Sequence, residues 1–172
     1  MNPWGLAKSG SEHSEQAALI HFLAVATNYG FRTALKMDAY EVKGFAASDP
    51  DAVAMPELKW VFAIPNGGSR GSDKKSAMIA GAQMKAEGVK PGVSDLCVPI
   101  PKHGKHGLFI EMKRADGGTV SAEQRDFGSA MQAQGYGFCV CYGWIEAAKV
   151  IMRWMGYPEW AKLAPLEAME SI

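Results

Sequence analysis

The chain has 172 residues, of which 48% are hydrophobic, and its 18 basic and 18 acidic side chains give a formal charge of zero. This composition fits one globular domain with a single core, and it excludes a disordered chain or one that is basic over its whole surface. The three cysteines, Cys97, Cys139 and Cys141, form no CxxC pair, so we expect buried thiols in a reducing compartment rather than disulfides. Because no stretch approaches about 18 uninterrupted apolar residues and the N-terminus lacks a signal-peptide pattern, we expect a soluble, cytoplasmic protein with no membrane partner.

The N-terminal sequence predicts one long helix. Ser11 or Ser14 can cap a helix that runs to about Tyr29, and Gly30 suits the left-handed position that ends it. Glu15 falls on the apolar stripe of this helix and therefore projects from the core-facing side of the first turn. Its carboxylate can complement the helix dipole there, or it can belong to a functional site.

The middle of the chain is less regular. Residues 31–59 carry Gly, Asp and Pro within a weak alternation, so they predict a long insertion rather than core. The sequence WVFAIP, residues 60–65, predicts a short strand, and the glycine-rich loop after it lacks the lysine and spacing of a nucleotide-binding P-loop. Ser72 can cap a following helix that runs to about Glu87 and stops at Gly88.

The second half predicts a hairpin and a crossover. VSDLCVPI and GLFIEMK are apolar strand-like runs separated by PKHGKHG, which indicates a β-hairpin. Ser121 and Gln124 have capping-box spacing at the start of a helix that stops at Gly135, and a buried strand and an amphipathic helix follow. A strand, helix and strand in this order become parallel neighbours. The sequence therefore predicts an α/β fold with a mixed sheet flanked by helices.

Charged side chains share one face of the predicted hairpin. Side chains alternate along a strand, so Glu111 and Lys113 share a face, as do Asp95 and Cys97. A hairpin centred near Gly104 pairs Asp95 with Lys113 and Cys97 with Glu111, which makes the two carboxylates diagonal neighbours. A register shift of two residues would place the carboxylates directly opposite, whereas a shift of one would send Asp95 to the other face.

Two carboxylates this close repel each other, and their burial requires a proton or a cation. Mg²⁺ suits them because it binds oxygen ligands, few carboxylates and retained water. Lys113, on the same face, could orient a water molecule or balance charge on a phosphate. A structural salt bridge among Asp95, Glu111 and Lys113 is the alternative interpretation of the same pattern.

These motifs together resemble the VRR-NUC (virus-type replication-repair nuclease) domain of the PD-(D/E)XK superfamily. The resemblance rests on the helix with Glu15 and on GVKPGVSDL, LFIEMK, SAEQ and GYGFCVCYG in this order. It covers about residues 15–143 and leaves residues 31–59 unmatched. It implies a restriction-endonuclease-like PD-(D/E)XK core of about residues 12–156 in a single domain of residues 1–172, with an insertion at 31–59 and a C-terminal tail at 157–172.

The resemblance also implies roles for individual residues. Asp95 and Glu111 become metal ligands, and the Met112 carbonyl becomes a further ligand. Lys113 becomes the group that orients water, and Glu15 an acid that reaches the metal from the first helix. Gln124 becomes a polar residue facing the site, although the capping box explains it equally well.

Basic side chains flank this motif and are expected to contact phosphate. A solvated helix face is the alternative for the lysines of the middle helix. The hairpin-tip histidines, His103 and His106, have too few companion ligands for zinc, so we expect the tip to contact phosphate instead. Asn66 matches, more loosely, a polar position near the family's site. The expected DNA-binding set is Asn66, Arg70, Lys74, Lys75, Lys85, Lys90, Lys102, Lys105 and Arg114.

The function implied by the resemblance is hydrolysis of DNA phosphodiester bonds with Mg²⁺ or Mn²⁺. Small members of the family are similar to homodimeric Holliday-junction resolvases, so we expect a homodimeric, structure-selective endonuclease acting on branched DNA, without a nucleotide cofactor. Its setting would be recombination or repair in the cytoplasm of a phage-infected or host bacterial cell. The alternatives are a flap or other DNA nuclease of the same chemistry, sequence-specific cleavage of linear duplex, and a non-catalytic DNA-binding module.

Overall fold

The computed structural model of the chain describes residues 3–36, 53–65 and 74–158. Its helices are α1 (Pro3–Leu6), α2 (Glu12–Lys36), α3 (Lys74–Ala86), α4 (Ala122–Ala133) and α5 (Trp144–Trp154). Two 3-10 helices lie at Ala7–Ser9 and Pro56–Trp60. The strands are β1 (Phe62–Ala63), β2 (Leu96–Val98), β3 (Leu108–Lys113) and β4 (Gly137–Tyr142).

The strands form one mixed sheet in the order β1-β2-β3-β4. β2 pairs antiparallel with β1 and with β3, whereas β3 and β4 are parallel. The predicted hairpin and the predicted parallel pair are therefore both present. The α/β class with helices around a mixed sheet is confirmed.

The register of the hairpin differs from the prediction by two residues. Cys97 pairs with Phe109 rather than with Glu111. The turn itself has two residues, because His103 (φ 52°) and Gly104 (φ 72°) both have positive φ and Lys102 pairs with Lys105. Between this turn and the strands, the first arm has one residue more than the second, in a segment that contains two prolines, which shifts the pairing further. Because the total shift is even, Asp95 stays on the predicted face and falls opposite Glu111.

The sheet separates an apolar core from a second, more polar face. Leu96, Ile110, Met112 and Cys141 share one face and are fully buried in a core that also contains the inner faces of α2 and α5. The opposite face carries Phe109, whose ring meets Phe127 of α4 edge to face at 5.3 Å. The sheet therefore lies between α2 and α5 on one side and α4 on the other, and α4 stands beside the acidic end of β3.

Helix α2 is longer than the N-terminal helix that the sequence predicted. Gly30 has positive φ (81°), as expected, but its ψ of 164° produces a kink, after which the helix resumes as far as Lys36. The returning chain explains why position 30 is glycine, because a Cβ there would collide with the Val53 carbonyl. The same segment is joined to the helix by the Met55 N–H, which donates to the Ala26 carbonyl at 3.1 Å. The interpretation of residues 31–59 as a non-core excursion is thus wrong for residues 31–36, which are helical, and for the 3-10 helix that buries Leu58.

Two further boundaries differ from the prediction, and some predictions lie outside the described residues. The strand predicted at 60–65 is shorter, because residue 60 ends a 3-10 helix and only Phe62–Ala63 is extended. The Ser72 cap and nearly all of the C-terminal tail, residues 159–172, fall outside the part that the structure describes. The assignment of residues 1–172 to a single domain therefore stays a prediction. Within the described ranges, no helix combines the length and apolar character needed to cross a membrane.

Candidate active site

Glu111 lies at the centre of the candidate site and is almost completely buried, at 1% exposure. Its Oε1 atom accepts a hydrogen bond from the Lys113 ammonium at 2.7 Å and another from the Gln124 side-chain amide. Its Oε2 atom is buried and has no hydrogen-bond partner among the described residues. A buried acceptor without a partner is costly, so this oxygen marks a place where the fold leaves an interaction incomplete.

Asp95 is held next to Glu111 by backbone groups on both of its sides. Its Oδ2 atom accepts the Met112 N–H at 2.8 Å, and its own carbonyl accepts the Ile64 N–H at 2.7 Å. The bond from Met112 takes the place of the backbone hydrogen bond that this N–H would make if β2 began before Leu96. Since the N–H and C=O of a strand residue point to the same side, we expect the Met112 carbonyl to open toward Asp95 as well.

The charges of this cluster shift one another's titration. Burial raises the pKa of Glu111, the hydrogen bond and charge of Lys113 lower it, and the charge and side chain of Asp95 raise it, which together bring the pKa to about 7. Burial by itself would lower the pKa of Lys113, but its bond to Glu111 and the charges of Glu111, Glu12 and Asp95 raise the pKa above its usual value. Lys113 is therefore a firmly charged ammonium, while Glu111 changes its charge near neutral pH.

Gln124 combines the two roles that its sequence context suggested. Its side-chain oxygen accepts the Ser121 N–H at 2.9 Å and its backbone N–H donates to the Ser121 hydroxyl at 3.2 Å, which completes a capping box. The side-chain nitrogen of the same amide donates to Glu111 Oε1. One side chain thus begins α4 and also restrains the buried carboxylate.

The turn before Asp95 packs tightly against the start of α4. Gly92 has a φ of 81°, and a Cβ there would lie 2.7 Å from the Glu123 Cβ and closer still to the Glu123 backbone. Only glycine allows both this conformation and this approach. The Pro-Gly of the sequence motif therefore brings the Asp95 segment and the first turn of α4 together around Glu111.

Helix α2 contributes a carboxylate, that of Glu12, which the sequence pattern did not indicate. Glu12 Oε1 lies 3.8 Å from the Lys113 ammonium, and its side chain is 52% exposed. Glu15, which the sequence pointed to, is instead 4% exposed, and its Oε2 accepts the Trp144 N–H at 2.8 Å. The apolar stripe selected the residue that faces the core. The carboxylate that approaches Lys113 belongs to Glu12, which lies about one helical turn before Glu15 and outside the apolar stripe.

The donor set fits a small divalent cation that keeps some of its water. No group of three or more Asp, Glu, His or Cys side chains within the described ranges has the arrangement of a complete metal cage. The adjacent carboxylates of Asp95 and Glu111 remain, together with the unpartnered Glu111 Oε2 and the expected Met112 carbonyl. Mg²⁺ and Mn²⁺ bind such sparse oxygen sites, in which water and substrate phosphate complete the coordination.

The expected DNA-contacting residues fall into different environments. Asn66 and Arg70 lie outside the described residues, and Lys74 and Lys75 begin α3 without described side chains. Lys85 and Lys90 are exposed, Lys102 and Lys105 are half-buried at the hairpin tip, and Arg114 is exposed. Arg114 also forms an ion pair with Asp116 at 3.3 Å. Of this set, Arg114 is the chain neighbour of Lys113.

Each of the two hairpin-tip histidines, His103 and His106, packs against an aromatic side chain. His103 Nε2 lies 3.0 Å from the Trp154 carbonyl oxygen, and its ring meets the Trp154 ring edge to face at 5.3 Å. The His106 ring meets Tyr136 in the same manner at 5.5 Å. Each histidine therefore packs against a different aromatic residue, which gives no support to a shared zinc site.

Comparison with known proteins agrees with this architecture. The family model of the VRR-NUC domain matches residues 69–144, a range that contains Asp95, Glu111, Lys113 and Gln124 but not α2. A solved structure described as a "VRR_NUC domain protein" is similar to this chain with a TM-score of 0.54 over 90% of each chain, at 18% sequence identity, which is a likeness of fold alone. No curated protein matches the sequence. Residues 69–144 therefore match the VRR-NUC domain model, and the chain as a whole has an α/β fold similar to that of a VRR-NUC domain protein.

Proposed function

We propose that this chain is a Mg²⁺- or Mn²⁺-dependent endonuclease that hydrolyses phosphodiester bonds in DNA at the end of β3. The VRR-NUC domain is a nuclease-type domain, which implies DNA as the substrate class. The observation that carries the proposal is the buried Glu111 Oε2, left without a partner among the described residues beside a second carboxylate. A structural salt bridge would be expected to satisfy both oxygens of a carboxylate buried to this extent.

The residues around Glu111 divide the work of such a site. Asp95, Glu111 Oε2 and the Met112 carbonyl would hold the cation, which when bound activates water and stabilises charge on the phosphate. Gln124 and Lys113 both occupy Glu111 Oε1, so they fix the carboxylate with its other oxygen free. This restraint lowers the number of orientations that the carboxylate can adopt before ligand arrives.

Lys113 supplies a fixed positive charge next to the expected position of the phosphate. Its stem is buried, its ammonium is held by Glu111, and its raised pKa keeps it protonated. A charge held in a buried environment acts on a developing negative charge without reorganising in the reaction. Glu12, whose Oε1 lies 3.8 Å from this ammonium, would receive a proton from the attacking water or orient it.

The finer substrate preference follows the family resemblance and remains part of the proposal. A homodimer related by a two-fold axis would present two such sites to the two halves of a four-way junction. We propose branched DNA as the substrate and phage or mobile-element recombination or repair in the cytoplasm as the setting. The exposed Lys85, Lys90 and Arg114 would contribute phosphate contacts, and the hairpin-tip lysines would add weaker ones.

A panel of DNA substrates tests the proposal. Purified protein is incubated with a four-way junction, a flap, a splayed arm and a linear duplex, with Mg²⁺ or Mn²⁺, and its solution mass is measured alongside. We expect symmetric nicking of the junction by a dimer. Preferred flap cutting by a monomer would retain the chemistry and replace the substrate, and a fixed cut sequence on linear duplex would indicate restriction-like cleavage. Tight junction binding without cleavage under either metal would instead favour a non-catalytic binding module.

A further inference from the structure

Glu15 makes a buried contact that ties two distant parts of the chain together. Its carboxylate, 4% exposed, accepts the Trp144 N–H at 2.8 Å across 129 residues of sequence. Trp144 is the first residue of α5, and the residue before it, Gly143, has no side chain with which to cap the helix. Glu15 therefore supplies, from α2, an acceptor for one of the N–H groups of the first turn that have no partner within the helix.

The same turn is joined to the end of β3. The Gly143 N–H donates to the Lys113 carbonyl at 2.9 Å. Gly143 has a φ of 84°, and a Cβ there would lie 3.0 Å from the Ala115 Cβ and 3.5 Å from Glu15 Oε2. Two hydrogen bonds, made by adjacent residues of the β4–α5 turn, thus connect Glu15 and the backbone of Lys113.

Glu12 lies near the side chain of this same lysine. It lies one helical turn before Glu15 on α2, and its Oε1 approaches the Lys113 ammonium to 3.8 Å. Its carboxylate is half-exposed and reaches Lys113 from the first turn of α2. Its position therefore depends on how the first turn of α2 is docked, and the buried Glu15 contact is a direct docking point for that turn.

We propose that Glu15 is a positioning residue: its hydrogen bond to Trp144 locks the first turn of α2 onto the β4–α5 turn and so holds Glu12 against Lys113. This inference rests on the proposed function for its effect on cutting, but the contact between Glu12 and Lys113 can be measured without any cutting. It assigns the acid that faces the site to Glu12 and removes Glu15 from the candidate metal ligands.

The test compares Glu15→Gln, Glu15→Ala and Glu12→Gln, with Glu57→Gln as the control that removes one exposed carboxylate elsewhere. The readout is the ammonium NMR signal of Lys113 in protein with isotope-labelled lysine, assigned by its loss in Lys113→Arg. Glutamine at position 15 keeps an oxygen that can accept the Trp144 N–H, so we expect Glu15→Gln to leave the signal near its wild-type position. Glu15→Ala should move it in the same direction as Glu12→Gln, and Glu57→Gln should not move it.

Cutting of branched DNA with Mg²⁺ gives the second readout. We expect Glu15→Gln to stay within about threefold of wild type, and Glu15→Ala to slow cutting by about tenfold to a hundredfold, as a misplacement on the order of 1 Å can do. A Glu15→Gln signal displaced as far as that of Glu12→Gln, or an unmoved Glu15→Ala signal, would overturn the inference. If Glu15→Ala does not fold, the two glutamine variants decide the matter. If the wild type cuts nothing, the proposed function fails while the NMR comparison still tests Glu15.

Discussion

The two ends of the β2–β3 hairpin carry similar polar residues but differ in how the fold satisfies them. At the tip, the Lys105 N–H donates to the Lys102 carbonyl at 2.8 Å, and His103 lies against the Trp154 carbonyl. At the opposite, open end, Glu111 is more deeply buried than any of these, yet its Oε2 has no partner among the described residues. The tip is held by these contacts within the protein, whereas the open end contains a buried carboxylate oxygen for which the described residues supply no partner. Burial combined with an unsatisfied oxygen distinguishes the two, since charge is present at both.

The largest expected effect comes from the same substitution made at both ends of the hairpin. Lys113→Ala should lower kcat by at least about a hundredfold, because it removes a buried ammonium next to the reacting phosphate. Lys105→Ala, at the half-buried tip, should leave kcat nearly unchanged and weaken DNA binding slightly, with a smaller salt dependence. Steady-state cutting of a branched substrate at several salt concentrations measures both. Equal loss of kcat in the two variants would erase the distinction between the ends.

The close packing of the turn before Asp95 against the start of α4 can be tested at Gly92. Gly92→Ala should destabilise the protein by about 3 kcal/mol, because the new methyl group meets the Glu123 backbone in addition to the strain of positive φ. Gly88→Ala is the matched control, since Gly88 has a φ of 97° and a Cβ there would have no atom within 4 Å, and it should cost about 1 kcal/mol. Urea unfolding followed by circular dichroism gives both values. A Gly92→Ala cost no larger than that of Gly88→Ala would contradict the close packing of this turn against α4.

Gln124 offers a way to separate helix capping from support of the site. Ser121→Ala removes one capping-box bond but leaves the Gln124 amide free to reach Glu111, so we expect a loss of about 1 kcal/mol of stability with cutting nearly unchanged. Gln124→Ala should cost a similar amount of stability and also slow cutting about tenfold, because Glu111 loses a buried hydrogen bond. Unfolding and cutting assays on the two variants test this. Parallel losses of activity in both would mean that Gln124 acts only through the helix.

The last prediction concerns pH. Because burial raises the pKa of Glu111 to about 7, the folded state keeps the Glu111 proton to higher pH than the unfolded chain does. Ionisation of Glu111 should therefore reduce the stability of the metal-free protein as pH rises from about 4.5 to about 7. Mn²⁺ affinity should rise about tenfold per pH unit below this value and then level off, because the ligand must lose its proton.

The control for the pH prediction is Glu111→Gln, which cannot titrate. We expect the difference in unfolding free energy between wild type and Glu111→Gln to change across this range, and the change should report the titration of Glu111 together with its effect on neighbouring charges. Urea unfolding at a series of pH values provides the measurement. A difference that stays constant with pH would show that the buried carboxylate is not perturbed as described.

Local patterns in the sequence predicted much of the fold because the signals are themselves local. The capping box at Ser121, the hairpin and the parallel pair of β3 and β4 follow from residues that are close in the chain or from chain order. The register was wrong by two because the turn is centred between His103 and Gly104 rather than on Gly104, and because the first arm has one residue more than the second. The prediction that Asp95 and Glu111 share one face of the sheet was nevertheless right, because a shift of two residues leaves every side chain on the same face.

The parts of the site that the sequence did not reveal depend on long-range contacts. Glu12 and Glu15 are separated by three residues, and only the docking of α2 against the β4–α5 turn shows which one faces Lys113. The helix beyond Gly30 likewise depends on the return of the chain past Val53. Neither contact leaves a periodic signal in the sequence. The apolar stripe identifies Glu15, the buried residue of the pair, whereas the residue that approaches Lys113 is the half-exposed Glu12.

Mn²⁺ binding and junction cutting, measured on the same preparations of wild type, Asp95→Asn and Glu111→Gln, test the central claim most directly. Each substitution preserves shape and removes one carboxylate from the pair, and circular dichroism verifies the fold. We expect wild type to bind Mn²⁺ and nick branched DNA, and we expect both variants to lose Mn²⁺ affinity and cutting together. Undiminished cutting by Asp95→Asn or Glu111→Gln would contradict the assignment of the open end of the hairpin as the active site.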